Sequence, residues 1–150
     1  MKPLFTIFRR FVGTIELKKL LRESKCSFDG NLKKMIILEA CDGSCVAELK
    51  IEGEQLNSQK FAHTGLIATA VDVMTTYAMY THKSCLQKPT ASVDIFVSYM
   101  SRIPCGDTIV LCADTKRING KFVFATCAIT KKGTDELLAM GQHTKYIMSK

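Results

Sequence analysis

Residues 65–80 read GLIATAVDVMTTYAMY and decide the fold of this 150-residue chain. Apolar residues occupy nearly every side of this segment when it is projected as a helix, and a helix that is apolar all round belongs in the interior of a protein. The segment contains one carboxylate, Asp72. Since an ionised carboxylate without a partner is costly to bury, we expect Asp72 to be paired or to take part in chemistry.

Shorter segments on both sides of this helix alternate between apolar and polar residues, which is the period of a strand. The dipeptides Asp42-Gly43 and Asn119-Gly120 separate neighbouring segments and predict hairpin turns. In the first segment after the helix, the alternation places Ser92 and Asp94 on the same face. The predicted strands are residues 34–40, 45–51, 91–100, 108–115, 121–130 and 137–147. This order favours an α+β fold, with an antiparallel sheet against the central helix.

Residues 3–22 have apolar residues at helical spacing and predict an amphipathic N-terminal helix. The basic residues of this segment precede its first acid, Glu16, so it also resembles a weak mitochondrial presequence. Both interpretations remain open. With 47% hydrophobic residues, the chain is long enough for one compact domain, and we expect residues 1–150 to form it.

Cysteine usage and hydropathy indicate the compartment. The chain has seven cysteines, an odd number, and most lie among small apolar residues, so we expect reduced thiols and a cytoplasmic or mitochondrial protein. No apolar run has the length of a transmembrane segment. Cys41 and Cys45 have no second Cys or His pair at ligand spacing, so a metal site is not expected.

The net charge of +7 suggests a polyanionic partner, which can be a nucleic acid, a membrane surface or a phosphorylated small molecule. Nucleic-acid binders usually add a recognisable module or exposed aromatic residues between their basic residues. This chain has no Trp, and most of its Phe residues lie in the alternating apolar segments. A nucleic-acid partner is therefore disfavoured.

Two further stretches are informative together: residues 57–72 read NSQKFAHTGLIATAVD, and residues 91–101 read ASVDIFVSYMS. They resemble the small hotdog-fold acyl-CoA thioesterases of the thioesterase-superfamily-member-two and phenylacetate-pathway type, and the likeness spans most of the chain. The matched positions are Asn57, His63, Gly65, Asp72 and Ser92. Thr64 stands where the family usually has the first Gly of a His-Gly-Gly motif. The resemblance implies the hotdog fold.

The resemblance also implies roles for these residues in thioester hydrolysis, which needs donors for the developing oxyanion and a group that activates water or attacks the carbonyl. By similarity to the family, Asn57 and the backbone N–H of Thr64 form the oxyanion hole at the start of the central helix. Asp72 is expected to be the general base or nucleophile, with Ser92 orienting the water or the carboxylate. Thr64 can also be the N-cap of the helix. Its β-branched side chain disfavours positive φ, so we expect lowered activity or altered specificity.

Helix geometry predicts that these residues do not act within one chain. Thr64 and Asp72 are eight residues apart, which at about 1.5 Å per residue separates their backbones by roughly 12 Å along one helix. Both cannot reach one carbonyl. We therefore predict a homodimer with composite sites, in which Asn57 and Thr64 come from one chain and Asp72 and Ser92 from the other. The hotdog dimers of the family, often paired into tetramers, agree with this arrangement.

The positive charge has a use in this scheme because coenzyme A carries phosphates. The basic hairpin 116–121, KRINGK, offers charges and turn N–H groups to them, although an ordinary solvated hairpin is the alternative. By resemblance, Arg117, Gly120 and Lys121 contact coenzyme A, as do Tyr99 and Tyr146. His63 and Gly65 are expected to anchor the loop or line the substrate channel.

The sequence thus predicts an acyl-CoA thioesterase that uses water and needs no cofactor. The main alternative is a non-hydrolytic acyl-CoA-binding protein of the same fold, which the Thr64 departure keeps open. A hotdog dehydratase is a further alternative, but His63 followed by Thr64-Gly65 does not supply its catalytic His motif. His143 is expected at the surface or the end of a strand.

Overall fold

The structure, a computed structural model, describes residues 4–23, 28–85 and 88–148. The elements in chain order are α1 (Leu4–Glu23), β1 (Ile36–Cys41), β2 (Ser44–Lys50), α2 (Thr64–Thr81), β3 (Thr90–Tyr99), β4 (Thr108–Asn119), β5 (Phe122–Lys131) and β6 (Leu137–Ile147). Two short 3-10 helices, Phe28–Leu32 and Gly53–Gln55, lie in the connections. None of the described helices has the length and apolar character needed to span a membrane.

The strands form one antiparallel sheet in the order β1-β2-β4-β5-β6-β3, and α2 contacts every strand. Both hairpins are present at the predicted turns, since β1 pairs with β2 and β4 pairs with β5. Gly120 has a φ of +58°, which the tight turn after Asn119 requires and which glycine adopts without strain. The α+β prediction of a sheet around a central helix is confirmed.

The core lies between α2 and the sheet. Val71, Met74 and Ala78 of α2 are fully buried against Leu49 and Leu111 of the sheet. Side chains at these helix positions follow the i, i+3, i+4 spacing of one helix face, which explains why they meet the same surface. Burial raises the pKa of the Cys45 thiol to about 12, so this cysteine acts as an apolar filler, as expected. Cys105 and Cys112, in contrast, are exposed.

The helix α2 is not enclosed on every side, so the prediction of complete burial was wrong for the single chain. The side chain of Asp72 is 43% exposed. Four other residues of α2 are also partly exposed and share its side of the helix, because they follow one another at intervals of one, three or four residues: Gly65, Ala68, Thr69 and Thr76. We call Gly65, Ala68, Thr69, Asp72 and Thr76 the open stripe. Its members are small or polar, unlike the buried face.

The predicted N-terminal helix is confirmed as α1, and Pro3 of the predicted segment lies outside the described residues. Its buried side chains are Leu17 and Leu21, whereas Ile15 is half exposed. The helix packs on β1, and the Ala40 N–H donates a hydrogen bond of 3.1 Å to Thr14 Oγ1.

Strand β3 forms an edge of the sheet, with β6 on one side and no described strand on the other. A β-bulge between Ser92 and Asp94 shifts its register against β6, so that Ser92 faces Lys145 and Ile95 faces His143. Ser92 consequently lies on the helix side of the sheet together with Ile95. The prediction that Ser92 and Asp94 share a face was wrong, because simple alternation does not anticipate a bulge.

Helix α2 approaches β6 closely at Gly141. A Cβ atom at this position would lie 2.4 Å from Val71 Cγ1 and 2.7 Å from Val71 Cγ2. Only a residue without a side chain fits there unless the helix moves.

We predict that Gly141→Ala lowers the free energy of unfolding by about 1–3 kcal/mol, because overpacking forces α2 away from the sheet. Urea unfolding of the variant and of the parent measures the difference. The matched control is Gly53→Ala, where an added Cβ meets nothing within 4 Å and φ is not positive. Equal stability of the Gly141→Ala variant and the control would contradict the close contact.

Candidate active site

The loop before α2 presents the side-chain amide of Asn57. Its Oδ1 accepts hydrogen bonds from the N–H groups of Gln59 at 2.9 Å and Phe61 at 3.1 Å, as in an Asx turn. These two bonds fix which end of the amide is the oxygen. Nδ2 therefore points away from the turn, and no described residue accepts a hydrogen bond from it. Asn57 offers an N–H donor held by its own loop.

His63, and not Thr64, is the N-cap of α2. His63 Nδ1 accepts a hydrogen bond of 2.9 Å from the N–H of Gly65, and the His63 carbonyl accepts from Leu66 and Ile67. A Cβ at Gly65 would lie 3.0 Å from the same ring nitrogen, which explains the glycine. The alternative role of Thr64 as N-cap was wrong, and His63 anchors the start of the helix.

The cap leaves one donor of the first turn without an acceptor. The N–H groups of residues 65–67 all bond to His63, whereas no described residue accepts from the N–H of Thr64. Thr64 is the first residue of α2 and has no positive φ, so threonine is accommodated there without backbone strain. The expected difficulty with a positive φ therefore does not arise at Thr64, and only the bulk of its side chain distinguishes it from the glycine of the family motif.

Asn57 and Thr64 line one cavity of about 300 Å³. Its other lining residues include Phe61, Ile67, Tyr99 and Met100. Tyr99 donates a hydrogen bond of 3.2 Å from its hydroxyl to the Thr64 carbonyl, which fixes the end of β3 to the start of α2. The two residues that carry these unpaired N–H donors thus line the same cavity, an arrangement suited to an oxyanion. We call the cavity, Asn57 and Thr64 the donor half-site.

Asp72 lies in a second polar group further along α2. Lys145 Nζ of β6 is 3.2 Å from Asp72 Oδ1 and 2.7 Å from Thr76 Oγ1. The Thr76 hydroxyl donates its hydrogen to the Asp72 carbonyl at 2.7 Å, so it accepts from the ammonium. Because Asp72 is partly exposed while the Lys145 side chain is only 8% exposed, the carboxylate is held from the inside and opens outward.

His143 of β6 connects Ser92 to α2. Thr75 Oγ1 donates to the Val71 carbonyl at 2.7 Å, and therefore accepts from His143 Nδ1, also at 2.7 Å. The Nδ1–H tautomer leaves Nε2 as an acceptor, and it lies 3.0 Å from Ser92 Oγ. The Ser92 hydroxyl consequently donates to His143, and its oxygen lone pairs remain available to accept a proton from water or another donor.

The buried position of His143 keeps the ring neutral. Burial, reinforced by the positive charge of Lys145, lowers the pKa of His143 from 6.5 to about 4, against the opposing effect of Asp72 and Asp94. The prediction that His143 lies at the surface or at a strand end was wrong, since its side chain is fully buried between α2 and β3. We call Asp72, Ser92, His143 and Lys145 the acid half-site.

The two half-sites are separate in one chain. None of the four residues of the acid half-site lines the cavity of the donor half-site. Along the β3–β6 ladder, Ala91 pairs with Tyr146 and Tyr99 with Ala139, so Tyr99 and Tyr146 are about 25 Å apart at roughly 3.3 Å per residue. The separation predicted from the spacing of Thr64 and Asp72 on one helix agrees with this division.

The basic hairpin lies at the end of the sheet that carries the acid half-site. Lys121 Nζ is 5.6 Å from the centre of the Tyr146 ring, and this ring meets Phe122 edge to face at 5.4 Å. Arg117 is exposed on β4, beside the Gly120 turn. The structure therefore brings Lys121 and Tyr146 together, whereas Tyr99 belongs to the opposite end.

Sequence reasoning missed four residues of the acid half-site and its supports: Thr75, Thr76, His143 and Lys145. A signal for two of them exists in residues 137–147. Ala139, Gly141, His143 and Lys145 alternate onto one strand face, and the first two are small residues suited to contact with a helix. Polar residues that continue a buried face of this kind are candidates for a shared network.

Fold and geometry together define a hotdog-type protein in which the donor half-site and the acid half-site lie apart within one chain. The family model of the thioesterase superfamily matches residues 59–138, and this chain belongs to that family. Human acyl-coenzyme A thioesterase 13 is 33% identical over 123 residues, covering 81% of this chain and 85% of that protein. The mouse protein of the same name is 34% identical over 80% of this chain and 84% of its own length.

A solved structure gives the same result for the fold. The crystal structure of zebrafish thioesterase superfamily member 2 superposes with a TM-score of 0.85 at 31% identity, covering 90% of this chain and 98% of that one. The predicted resemblance, the hotdog fold and the classification as a thioester hydrolase are thereby confirmed.

The lowered pKa of His143 predicts how stability depends on pH. As pH falls, the unfolded chain takes up this proton near 6.5, before the folded protein does near 4. The stabilisation is complete above pH 6.5 and is lost progressively between about 6.5 and 4. We predict that the free energy of unfolding of His143→Gln falls less steeply over this range than that of the parent.

Urea unfolding at a series of pH values measures this slope. The matched control is His82→Gln, because His82 lies at the C-terminal end of α2, outside the network, and should keep the parent slope. A parent-like slope in His143→Gln would show that His143 does not titrate as the buried, neutral group described above.

Proposed function

We propose that this chain hydrolyses acyl-CoA thioesters to a free acid and coenzyme A, using water as the second substrate. The observation that carries the proposal is that Asn57 and Thr64 line one cavity, while Asn57 Nδ2 and the Thr64 N–H have no acceptor among the described residues. Preorganised donors of this kind stabilise the charge that develops on a carbonyl oxygen under attack. The names of the relatives, acyl-coenzyme A thioesterases, support acyl-CoA as the substrate class.

The proposed reaction uses Asp72 as the general base. Its carboxylate takes a proton from water while the water oxygen bonds to the thioester carbon, and Ser92 Oγ accepts the second water hydrogen to orient the attack. The oxyanion is held by Asn57 and Thr64. It then collapses, the C–S bond breaks, and the proton passes from Asp72 to the leaving thiolate. These residues supply the donors and the base, so we propose no metal or prosthetic group.

We further propose a homodimer in which each active site combines the donor half-site of one chain with the acid half-site of the other. Edge strand β3 has no described strand on its outer side, and Val93 and Ile95 on it are 54% and 39% exposed. Such an edge is a template for pairing with a second strand. Because the open stripe of α2 contains Asp72, a partner on this side meets the carboxylate. A dimer of such dimers is compatible with this contact.

Coenzyme A phosphates are proposed to bind at the basic hairpin. Arg117 and Lys121 supply positive charge, the turn at Gly120 supplies N–H groups, and Tyr146 lies beneath Lys121. Tyr99 contacts the substrate from the donor half-site, and His63 acts through the helix cap rather than as a base. The hairpin lies at the end of the sheet that carries Ser92. The groups that bind the phosphates and the Asp72 carboxylate therefore come from the same chain.

For the compartment, we infer the cytoplasm or the mitochondrion. The six described cysteines are free thiols, and this state is typical of reducing compartments.

We predict that the purified protein hydrolyses acyl-CoA substrates. Asp72→Asn should lower kcat by about 100-fold or more, because an amide cannot accept the proton. Release of thiol from a panel of acyl chain lengths measures it. The matched control is Asp94→Asn, an acid on the same strand as Ser92 that faces away from α2. Binding of acyl-CoA by the parent without any turnover would favour the non-hydrolytic alternative.

A further prediction tests whether each active site combines residues of two chains. A purified mixed dimer of one Asn57→Ala chain and one Asp72→Asn chain should have about half the activity of the parent dimer, because one of its two sites is intact. The control dimer pairs a parent chain with a chain that carries both substitutions, and it should be inactive. If each site lay within one chain, the two results would be reversed.

A further inference from the structure

Lys145 is the most unusual side chain of the interior. The residue is 6% exposed and lies on the helix side of β6, where it pairs with Ser92 beside the bulge of β3. Lysine is almost never buried without a partner, since removal of the ammonium from water is costly. Both partners of Nζ, Asp72 Oδ1 and Thr76 Oγ1, come from adjacent turns of α2. The charge is therefore directed at the open stripe.

The contacts of Lys145 determine which carboxylate oxygen of Asp72 is held. Lys145 Nζ lies 3.2 Å from Oδ1, and His143 Nδ1 lies 3.7 Å from the same oxygen. Lys145 Nζ and His143 Nδ1, both from β6, thus approach the same oxygen, Oδ1, from the inner side. A side chain that is partly exposed loses this fixed orientation unless something holds it, because free rotation is favoured by entropy. Lys145 therefore holds Oδ1 of the partly exposed Asp72 side chain on the inner side.

The Lys145 ammonium also acts on the hydrogen-bonded pair of His143 and Ser92. His143 accepts the Ser92 hydroxyl only while its ring is neutral, since a protonated ring has no acceptor. After burial, the charge of Lys145 is the largest influence that lowers the pKa of His143. The other charged groups that act on the ring are Asp72 from α2 and, through the sheet from the opposite face, Asp94 from β3, and both raise its pKa.

We propose that Lys145 is a positioning residue for thioester hydrolysis, which fixes the Asp72 carboxylate through Oδ1 and Thr76 and keeps the His143–Ser92 pair in its neutral, proton-accepting form. This inference rests on the proposed function, because the reaction is the one in which Asp72 and Ser92 bind water. It assigns Lys145 a role that a simple structural ion pair does not have.

The test compares three variants with the parent in steady-state kinetics over a range of pH. Lys145→Met keeps the length of the side chain without its charge. Thr76→Val removes one acceptor of Nζ but keeps the charge. Lys131→Met is the matched control, since Lys131 pairs with Asp107 at 2.8 Å, outside both half-sites.

For Lys145→Met we expect kcat to fall about 10-fold or more with KM changed less than about twofold, because positioning affects the transition state more than binding. The acid limb of its pH profile should move to higher pH, since the remaining neighbours of His143 are acids. Thr76→Val should lower kcat a few-fold without moving the limb. Lys131→Met should match the parent. A folded, dimeric Lys145→Met with parental kcat and pH profile would overturn the proposal.

Two further readouts remove ambiguity. If Lys145→Met does not fold, Thr76→Val decides, and an unchanged kcat in that variant overturns the positioning role. An NMR titration of the His143 ring in Lys145→Met and in the parent measures the effect of the charge without turnover, and its midpoint should rise. An unchanged midpoint contradicts the role of Lys145, whereas a raised midpoint in a protein without hydrolase activity contradicts the proposed function alone.

Discussion

The contact between Val71 of α2 and Gly141 of β6 sets the position of the central helix against the sheet. A side chain at 141 would overlap both methyl groups of Val71, so the helix and strand backbones approach as closely as this fold allows. The neighbouring positions then meet in pairs: Asp72 reaches Lys145, and Thr75 reaches His143. A hydrogen-bond network that joins a helix to a strand needs this accuracy, because its bonds weaken within a few tenths of an ångström.

The two half-sites are held by different means. The donor half-site depends on backbone geometry: the Asx turn of Asn57 and the cap by His63 pair the neighbouring N–H groups, whereas Asn57 Nδ2 and the Thr64 N–H have no acceptor among the described residues. The acid half-site depends on side chains of three elements, since Asp72, Ser92 and His143 come from α2, β3 and β6. The first is therefore fixed by a short stretch of sequence, and the second by the registration of the sheet.

This difference explains how much the sequence could predict. The helix at 65–80, the hairpins at Asp42 and Asn119, and the last strand were predicted because their signals are local. Asn57 and Thr64 were candidates because of a contiguous motif, and the structure places both at one cavity. His143 and Lys145 were missed because their inward orientation depends on pairing with β3. The bulge beside Ser92 adds one residue to that pairing, and single-sequence alternation cannot reveal it.

The exposure of Asp72 follows from similar reasoning. Periodicity indicates which residues a helix can bury, but it does not say how many faces the chain itself covers, and here the sheet leaves the open stripe uncovered. The uncovered residues are small or polar, and the neighbouring edge strand β3, with exposed Val93 and Ile95, has no described strand on its outer side. The Asp72 carboxylate is held from the inner side by Lys145, so its position is set by residues of its own chain. The four residues of the acid half-site therefore meet within one chain, without any contact to the donor half-site.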